Sequence, residues 1–258
     1  VTQFRHAIVR PPSRTFAEGL TSSTLGRPDL DKARAQHATY CAALQRCGLT
    51  LTHLPPDDAF PDSTFVEDPA IVTSKLAILT HPGAPSRRGE VAAIAAVLPP
   101  FFDRIARIEA PGTVDGGDIC QADEHFFIGL SDRTNEEGAR QLAALLAPEG
   151  FTSSVVDIRG SAKVLHLKTG ISYLSDRRIV AMREIADHPA FGDFDVITIA
   201  PEESYAANLL RINDVVILAA DFPKIAKTVA DLGHTIVSLD MSEFRKMDGS
   251  LSCLSLRF

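Results

Sequence analysis

Asp29-Leu30-Asp31-Lys32-Ala33-Arg34-Ala35-Gln36-His37-Ala38-Thr39-Tyr40-Cys41-Ala42-Ala43-Leu44-Gln45-Arg46-Cys47-Gly48 carries the signal that decides the fold. Leu30, Ala33, His37, Tyr40, Cys41, Leu44 and Cys47 recur at helical spacing, with Asp29 placed to cap the start and Gly48 to stop the end. The same arrangement returns along the chain. Further helical patterns begin near Arg87, near Asn135 and near Phe222, with a weaker one near Arg183. In the third, Thr134 precedes Glu137 by three residues, the spacing of a capping box, and the apolar series Ala139, Leu142, Leu145 and Leu146 ends before Gly150. In the fourth, Ile225, Val229 and Leu232 precede Gly233. Between the helices lie apolar, β-branched runs that read as strands: Ala70–Leu79, Phe126–Gly129, Val155–Ile158, Ile179–Met182, Val196–Ala200, Val215–Ala219 and Thr235–Leu239. Helix starts recur at roughly 40–55 residues, so a closed ring of αβ units competes with a doubly wound sheet. Four clear units and one weak one favour an α/β fold of five units with internal pseudo-fivefold repetition. No GxGxxG turn joins a strand to a helix, and Gly19–Gly26 is not followed by the Lys-Ser/Thr of a phosphate-binding loop.

The 258 residues include 45% hydrophobic and 23% charged side chains, which suits a globular protein with a substantial core. No low-complexity stretch or charge block marks a linker, so residues 1–258 read as one domain. The formal charge is −7, from 26 basic and 33 acidic residues. That balance argues against a nucleic-acid surface and permits a small cationic ligand. No apolar run approaches the roughly 20 residues needed to cross a bilayer. The opening Val1–His6 has no basic region followed by an apolar block, and a cytoplasmic protein is the expectation. Cys41, Cys47, Cys120 and Cys253 fit neither a disulfide framework nor a metal-ligand spacing and read as reduced thiols.

Four local features are able to carry chemistry: Phe65-Val66-Glu67-Asp68-Pro69, Thr113-Val114-Asp115-Gly116-Gly117-Asp118, His166 within Leu165–Lys168, and Cys253 at the end of Asp248-Gly249-Ser250-Leu251-Ser252-Cys253. Each also has an ordinary reading. Paired acids before proline cap turns, and Asp-Gly-Gly-Asp is a common tight turn. His166 lies in a run of alternating polarity where a half-buried strand histidine fits, and an unpaired cysteine is often a small buried hydrophobe. Arg87 and Arg133 beside helix starts read as surface charges. The segment Gly19–Gly26 reads either as a lid over a site or as a surface turn.

Taken in order, a longer set of blocks resembles the dimethylarginine dimethylaminohydrolase family. These are Glu18–Ser23, Phe60–Ser63, Phe65–Pro69, Ser86–Glu90, Gly112–Asp118, Arg133–Asn135, Lys163–Gly170, Glu203–Asn208 and Asp248–Cys253, and they span nearly the whole chain. The family belongs to the guanidine-modifying pentein superfamily, whose fold is a five-unit αβ propeller around a central active site. The resemblance implies hydrolysis of N-omega,N-omega-dimethylarginine, and of the monomethyl compound, to citrulline and the corresponding amine through a covalent cysteine thiouronium. It implies Cys253 as nucleophile, His166 as general acid and base, and Asp115 as the carboxylate supporting the histidine. Asp68 and Glu67 would grip the guanidinium. Arg87 and Arg133 would take the substrate carboxylate, with Asp62 and backbone groups of Leu20 and Met247 near its amine. Some bacterial members carry glutamate where this chain has Asp115. The implied chemistry needs no metal or organic cofactor. The implied partners are a small cationic amino acid and, from family habit, a second copy in a homodimer. Arginine deiminase and citrulline hydrolase chemistry share the same residue types, and a non-catalytic pentein binding module is the non-enzyme alternative.

Overall fold

The computed structural model describes residues 3–161 and 164–258. The chain divides into two compact units. One comprises Asp68–Asn208, the other Gln3–Glu67 with Leu209–Phe258. Among the described residues there are five three-stranded sheets, three in the first unit and two in the second.

Every sheet follows one plan. A leading strand pairs antiparallel with a middle strand, and the chain crosses over to bring a third strand parallel to the middle one. In the Asp68–Asn208 unit, Ala70–Val72 pairs antiparallel with Ala77–Leu79, which lies parallel to Ile105–Arg107. Ile119–Ala122 pairs with His125–Leu130, which lies parallel to Thr152–Asp157. Ile171–Ser175 pairs with Arg178–Met182, which lies parallel to Asp195–Ile199. In the other unit, Leu210–Ile212 pairs with Val215–Ala219, parallel to Thr235–Leu239. The last strand, Leu256–Arg257, pairs antiparallel with His6–Val9, which lies parallel to Thr50–His53. The end of the chain therefore supplies the leading strand of the sheet begun at its start.

Parallel neighbours need a crossover, and helices supply most of them. Leu30–Arg46 starts at Asp29, whose carboxylate accepts from the Lys32 amide at 2.9 Å, as the sequence predicts. Near Arg87 the helix opens as a 3-10 segment, Pro85–Glu90, and continues as Val91–Val97. Glu136–Leu146 is capped by Asn135, which accepts from the Gly138 amide at 2.8 Å, and not by the expected Thr134–Glu137 box. The Thr134 hydroxyl instead donates to Asp118. Pro223–Asp231 fills the fourth crossover. The weak helical pattern near Arg183 forms turns and a short 3-10 segment, Pro189–Phe191, because a proline and a glycine interrupt it. The predicted single strand Ala70–Leu79 is a hairpin, folded back at Thr73, whose hydroxyl accepts from the Lys75 and Leu76 amides.

Packing explains the periodicities. Ala139, Leu142 and Leu146 face one buried cluster with Ile78, Phe126, Ile128 and Phe151. Fully burying side chains of this size stabilises by about 1.5–3 kcal/mol each. No helix among the described residues is long and apolar enough to cross a membrane.

Candidate active site

The repeated plan gives corresponding places for functional side chains. The segment entering each leading strand is a turn or a short helical stretch, so its side chains are free of strand alternation. In the Asp68–Asn208 unit these segments carry Asp68 before Ala70–Val72, Asp115 and Asp118 before Ile119–Ala122, and His166 before Ile171–Ser175. In the other unit the segment entering Leu256–Arg257 carries Cys253.

Asp68, Asp115 and His166 come together. The Asp115 carboxylate, wholly buried, meets His166 Nε2 at 3.2 Å through Oδ2 and accepts the Gly83 amide at 2.9 Å through Oδ1. Asp68 accepts the Gly117 amide at 2.8 Å through Oδ1, and Arg87 donates to its Oδ2. Gly117 is required by this crowding. A Cβ there would lie 2.9 Å from Asp68 Oδ1 and 2.9 Å from the His166 ring, closer than side-chain carbons approach. His166 opens a short helix, Leu167–Gly170, in which the Thr169 hydroxyl accepts the His166 amide at 3.3 Å. Asn208 Nδ2 donates to the Lys168 carbonyl at 2.8 Å and steadies that turn. Lys163, at the head of the same motif, lies outside the described residues.

Electrostatics follow from the packing. Burial disfavours a charged His166, but the Asp118 charge, the Asp115 hydrogen bond and the Asp68 charge outweigh it and raise its pKa to about 9. Burial likewise opposes ionisation of Asp68, yet Arg87 and His166 hold its pKa at about 2. Asp68, Asp115 and His166 offer ligand atoms within 4.8 Å of one another, a set able to approach a metal ion. All three are already engaged, with Arg87, Gly117, Gly83 and each other, so a cation there would compete with these contacts.

Arg87 is buried rather than at the surface, and its Nε and Nη2 donate to Glu90, with Nη2 at 2.7 Å from Oε2. The half-buried Arg133 guanidinium makes no hydrogen bond or ion pair with the described residues, while its amide donates to Ser131 Oγ at 2.9 Å. The sequence alone assigns no role at the site to Glu90, Asp118 or Ser131, and reads Thr134 only as a helix cap. The first two stand inside quoted motifs, and their complete burial as charged residues is the signal that motif reading lacked.

In the other unit, Cys253 sits half-buried in the 3-10 turn Ser252–Leu254. Its carbonyl accepts the Glu67 amide at 3.2 Å, and the Glu67 carboxylate accepts from Ser252 Oγ at 2.9 Å and Arg257 Nη2 at 3.2 Å. Phe16, Phe65 and Phe244 pack with ring centroids 5.6–6.4 Å apart and tie together the segments that carry Leu20, Glu67 and Met247. Buried Asp62 accepts the Leu20 amide at 3.1 Å and 3.2 Å, and Met247 is buried beneath. The segment after Gly19 is latched: Thr21 and Ser22 hydroxyls donate to the Asp248 carboxylate at 3.2 and 2.9 Å, with Asp248 at a φ of 55°.

A family model described as arginine deiminase matches residues 57–204. Over 256 residues the chain is 50% identical to the N(G),N(G)-dimethylarginine dimethylaminohydrolase of Pseudomonas aeruginosa, across 99% of this chain and 100% of that one. The chain belongs to the dimethylarginine dimethylaminohydrolase family. A second member, from Streptomyces coelicolor, is 36% identical over 98% of this chain and 96% of its own. The Pseudomonas aeruginosa enzyme, solved as a cysteine-to-serine variant with citrulline, superposes with a TM-score of 0.96 over the full length of both chains. The N-terminal domain of a cyanobacterial arginine dihydrolase superposes at 0.86 with 17% identity, a likeness of fold alone. The five three-stranded units are thus the five repeats of the pentein fold that the family shares.

Proposed function

We propose that this protein hydrolyses N-omega,N-omega-dimethylarginine, and the monomethyl compound, to citrulline and dimethylamine or methylamine, with residues 1–258 acting as one catalytic domain. The observation that carries the reading is 50% identity, end to end, with a dimethylarginine dimethylaminohydrolase. The full-length likeness to a structure holding citrulline supports the product. Arginine deiminase, citrulline hydrolase and a non-catalytic binding module are not favoured by these relatives.

In this reading the guanidinium of the substrate is held by Asp68 and Glu67, whose oxygens match its planar donor fork. Asp68, already ionised and facing Arg87, exchanges one guanidinium for another when substrate arrives. Arg87 and the unengaged Arg133 take the substrate carboxylate, while Asp62 and backbone groups of Leu20 and Met247 receive the amine. A guanidinium carbon is a poor electrophile, and a thiolate is the side chain suited to attack it. The Cys253 sulfur forms the new C–S bond and gives a tetrahedral adduct. His166, kept in its protonated form at neutral pH by the charges of Asp118, Asp115 and Asp68, donates its proton to the departing dimethylamine as the C–N bond breaks. A thiouronium remains on Cys253. The neutral imidazole, held by Asp115, then takes a proton from water as the water oxygen adds to the same carbon. Cleavage of the C–S bond, with the remaining hydroxyl proton passing to solvent, releases citrulline and leaves the thiolate and the imidazolium. In the same reading two copies of the chain pair as a homodimer, as the family resemblance implies.

The test is product analysis by mass spectrometry after the purified protein meets equimolar arginine, asymmetric dimethylarginine and citrulline. Citrulline with dimethylamine is the expected outcome. Ammonia from arginine, or ornithine from citrulline, would move the substrate assignment, and no turnover would overturn the enzyme reading.

A further inference from the structure

The mechanism uses one wholly buried carboxylate of the Asp-Gly-Gly-Asp turn only for its charge near His166. Asp118 has no exposed surface. Its Oδ1 accepts the Leu167 amide at 3.0 Å, and its Oδ2 accepts the Ser131 hydroxyl at 2.6 Å and the Thr134 hydroxyl at 2.7 Å. Each donor belongs to a different piece of the proposed machinery. Leu167 follows His166. Thr134 Oγ1 accepts the Asp115 amide at 3.1 Å. Ser131 Oγ accepts the Arg133 amide at 2.9 Å and the Thr134 amide at 3.1 Å. His166, Asp115 and Arg133 are each one short link from the same two oxygens.

Proton bookkeeping makes the requirement strict. Ser131 Oγ already accepts two amides, so its hydroxyl proton has only Asp118 to go to, and Thr134 is held the same way by the Asp115 amide. All three neighbours are donors. An amide or a protonated acid at this position would turn at least one donor toward another donor, whichever way it is flipped. Gly129 keeps the approach open: a Cβ there would lie 2.8 Å from Leu167 Cβ and 3.2 Å from Asp118 Oδ1.

We propose that Asp118 is a positioning residue for this hydrolysis, its ionised carboxylate holding the His166 turn, the Asp115 backbone and the Arg133 corner in one arrangement that no neutral group reproduces. The proposal rests on the dimethylarginine reading for its kinetic part only. The charged groups facing His166 in its unit are Asp68, Asp115 and Asp118, and Asp118 is foremost among the charges that raise the histidine's pKa.

The experiment compares wild type with Asp118→Asn, which keeps shape and removes charge. Steady-state kinetics with dimethylarginine are run beside an NMR titration of isotope-labelled His166 in the ligand-free protein. The expected results are a fall in kcat of about tenfold or more, a rise in KM through Arg133, and a His166 midpoint well below that of wild type. A lowered melting temperature with unchanged kcat, KM and midpoint would reduce Asp118 to a structural residue and overturn the proposal. If Asp118→Asn does not fold, Thr134→Val carries the test by removing one donor and leaving the charge. A kcat reduced about threefold or more is then expected, and wild-type kinetics would overturn the proposal. The titration needs no substrate. Wild-type inactivity toward dimethylarginine therefore defeats the substrate reading alone, while an unmoved midpoint in active Asp118→Asn defeats the positioning role alone.

Discussion

Asp68 and Asp118 are both buried carboxylates in the same unit, each at the entrance to a leading strand, and they are stabilised in opposite ways. Asp68 faces a cation. The guanidinium of Arg87, itself fixed by Glu90, draws its pKa to about 2 against the cost of burial. Asp118 is hydrogen-bonded by neutral donors only, and burial pushes its pKa up against the His166 charge and the hydrogen bonds from Ser131, Thr134 and Leu167. The contrast separates two jobs. In the proposed mechanism, the carboxylate that receives the incoming guanidinium is kept charged by a surrogate guanidinium. The carboxylate proposed to hold geometry is surrounded by groups that cannot leave.

The largest effect belongs to the charged region. Arg87→Ala leaves Asp68 and Glu90 buried without their cation and is expected to cost about 3–5 kcal/mol of stability, read by urea denaturation. The neutral region is expected to respond less. Ser131→Ala removes one donor to Asp118 and should cost about 1–3 kcal/mol in the same assay. Equal losses at the two places would break the distinction between them.

The two kinds of support also differ in their pH dependence. His166 has a folded pKa near 9, raised above its ordinary 6.5, so its contribution is fully present below about 6.5 and is lost as pH rises through 9. Asp68 has a folded pKa near 2, lowered from 3.8, so its contribution is present above 3.8 and is lost as pH falls through 2. Denaturation midpoints should therefore be highest between about pH 4 and 6.5 and fall on both sides. His166→Gln should flatten the alkaline limb and weaken the acid limb in part, leaving the share that Arg87 supplies to Asp68. The smallest effect is a control outside both regions: Asp29→Ala removes the cap of Leu30–Arg46 and should cost about 1 kcal/mol with kinetics unchanged.

The helical periodicities made most of the architecture legible. Val215–Ala219 and Thr235–Leu239 match their predicted limits, and Leu30–Arg46 starts and stops at its predicted signals. Leading strands escaped, among them Ile119–Ala122, Ile171–Ser175 and Leu210–Ile212. They are only three to five residues long, and the two-residue turns after them are Asp123-Glu124, Asp176-Arg177 and Asn213-Asp214. No glycine marks those turns. Asp123, Asp176, Arg177 and Asn213 adopt positive φ all the same, so the usual hairpin signal was missing. Thr134 misled for a related reason. Its spacing to Glu137 mimics a capping box, but a buried carboxylate 16 positions earlier claims its hydroxyl. The candidate residues were legible as an ordered set of motifs. Long-range partners such as Glu90 for Arg87 and Asp118 for the His166 turn were not, because which buried charge meets which donor depends on the fold.

The central claim is covalent catalysis by Cys253, and rapid acid quenching of turnover on dimethylarginine, followed by peptide mass spectrometry, tests it most directly. A thiouronium adduct on the peptide containing Cys253, absent from Cys253→Ser, is the predicted result. Citrulline formed at an undiminished rate by Cys253→Ser, or an adduct carried by another residue, would contradict it.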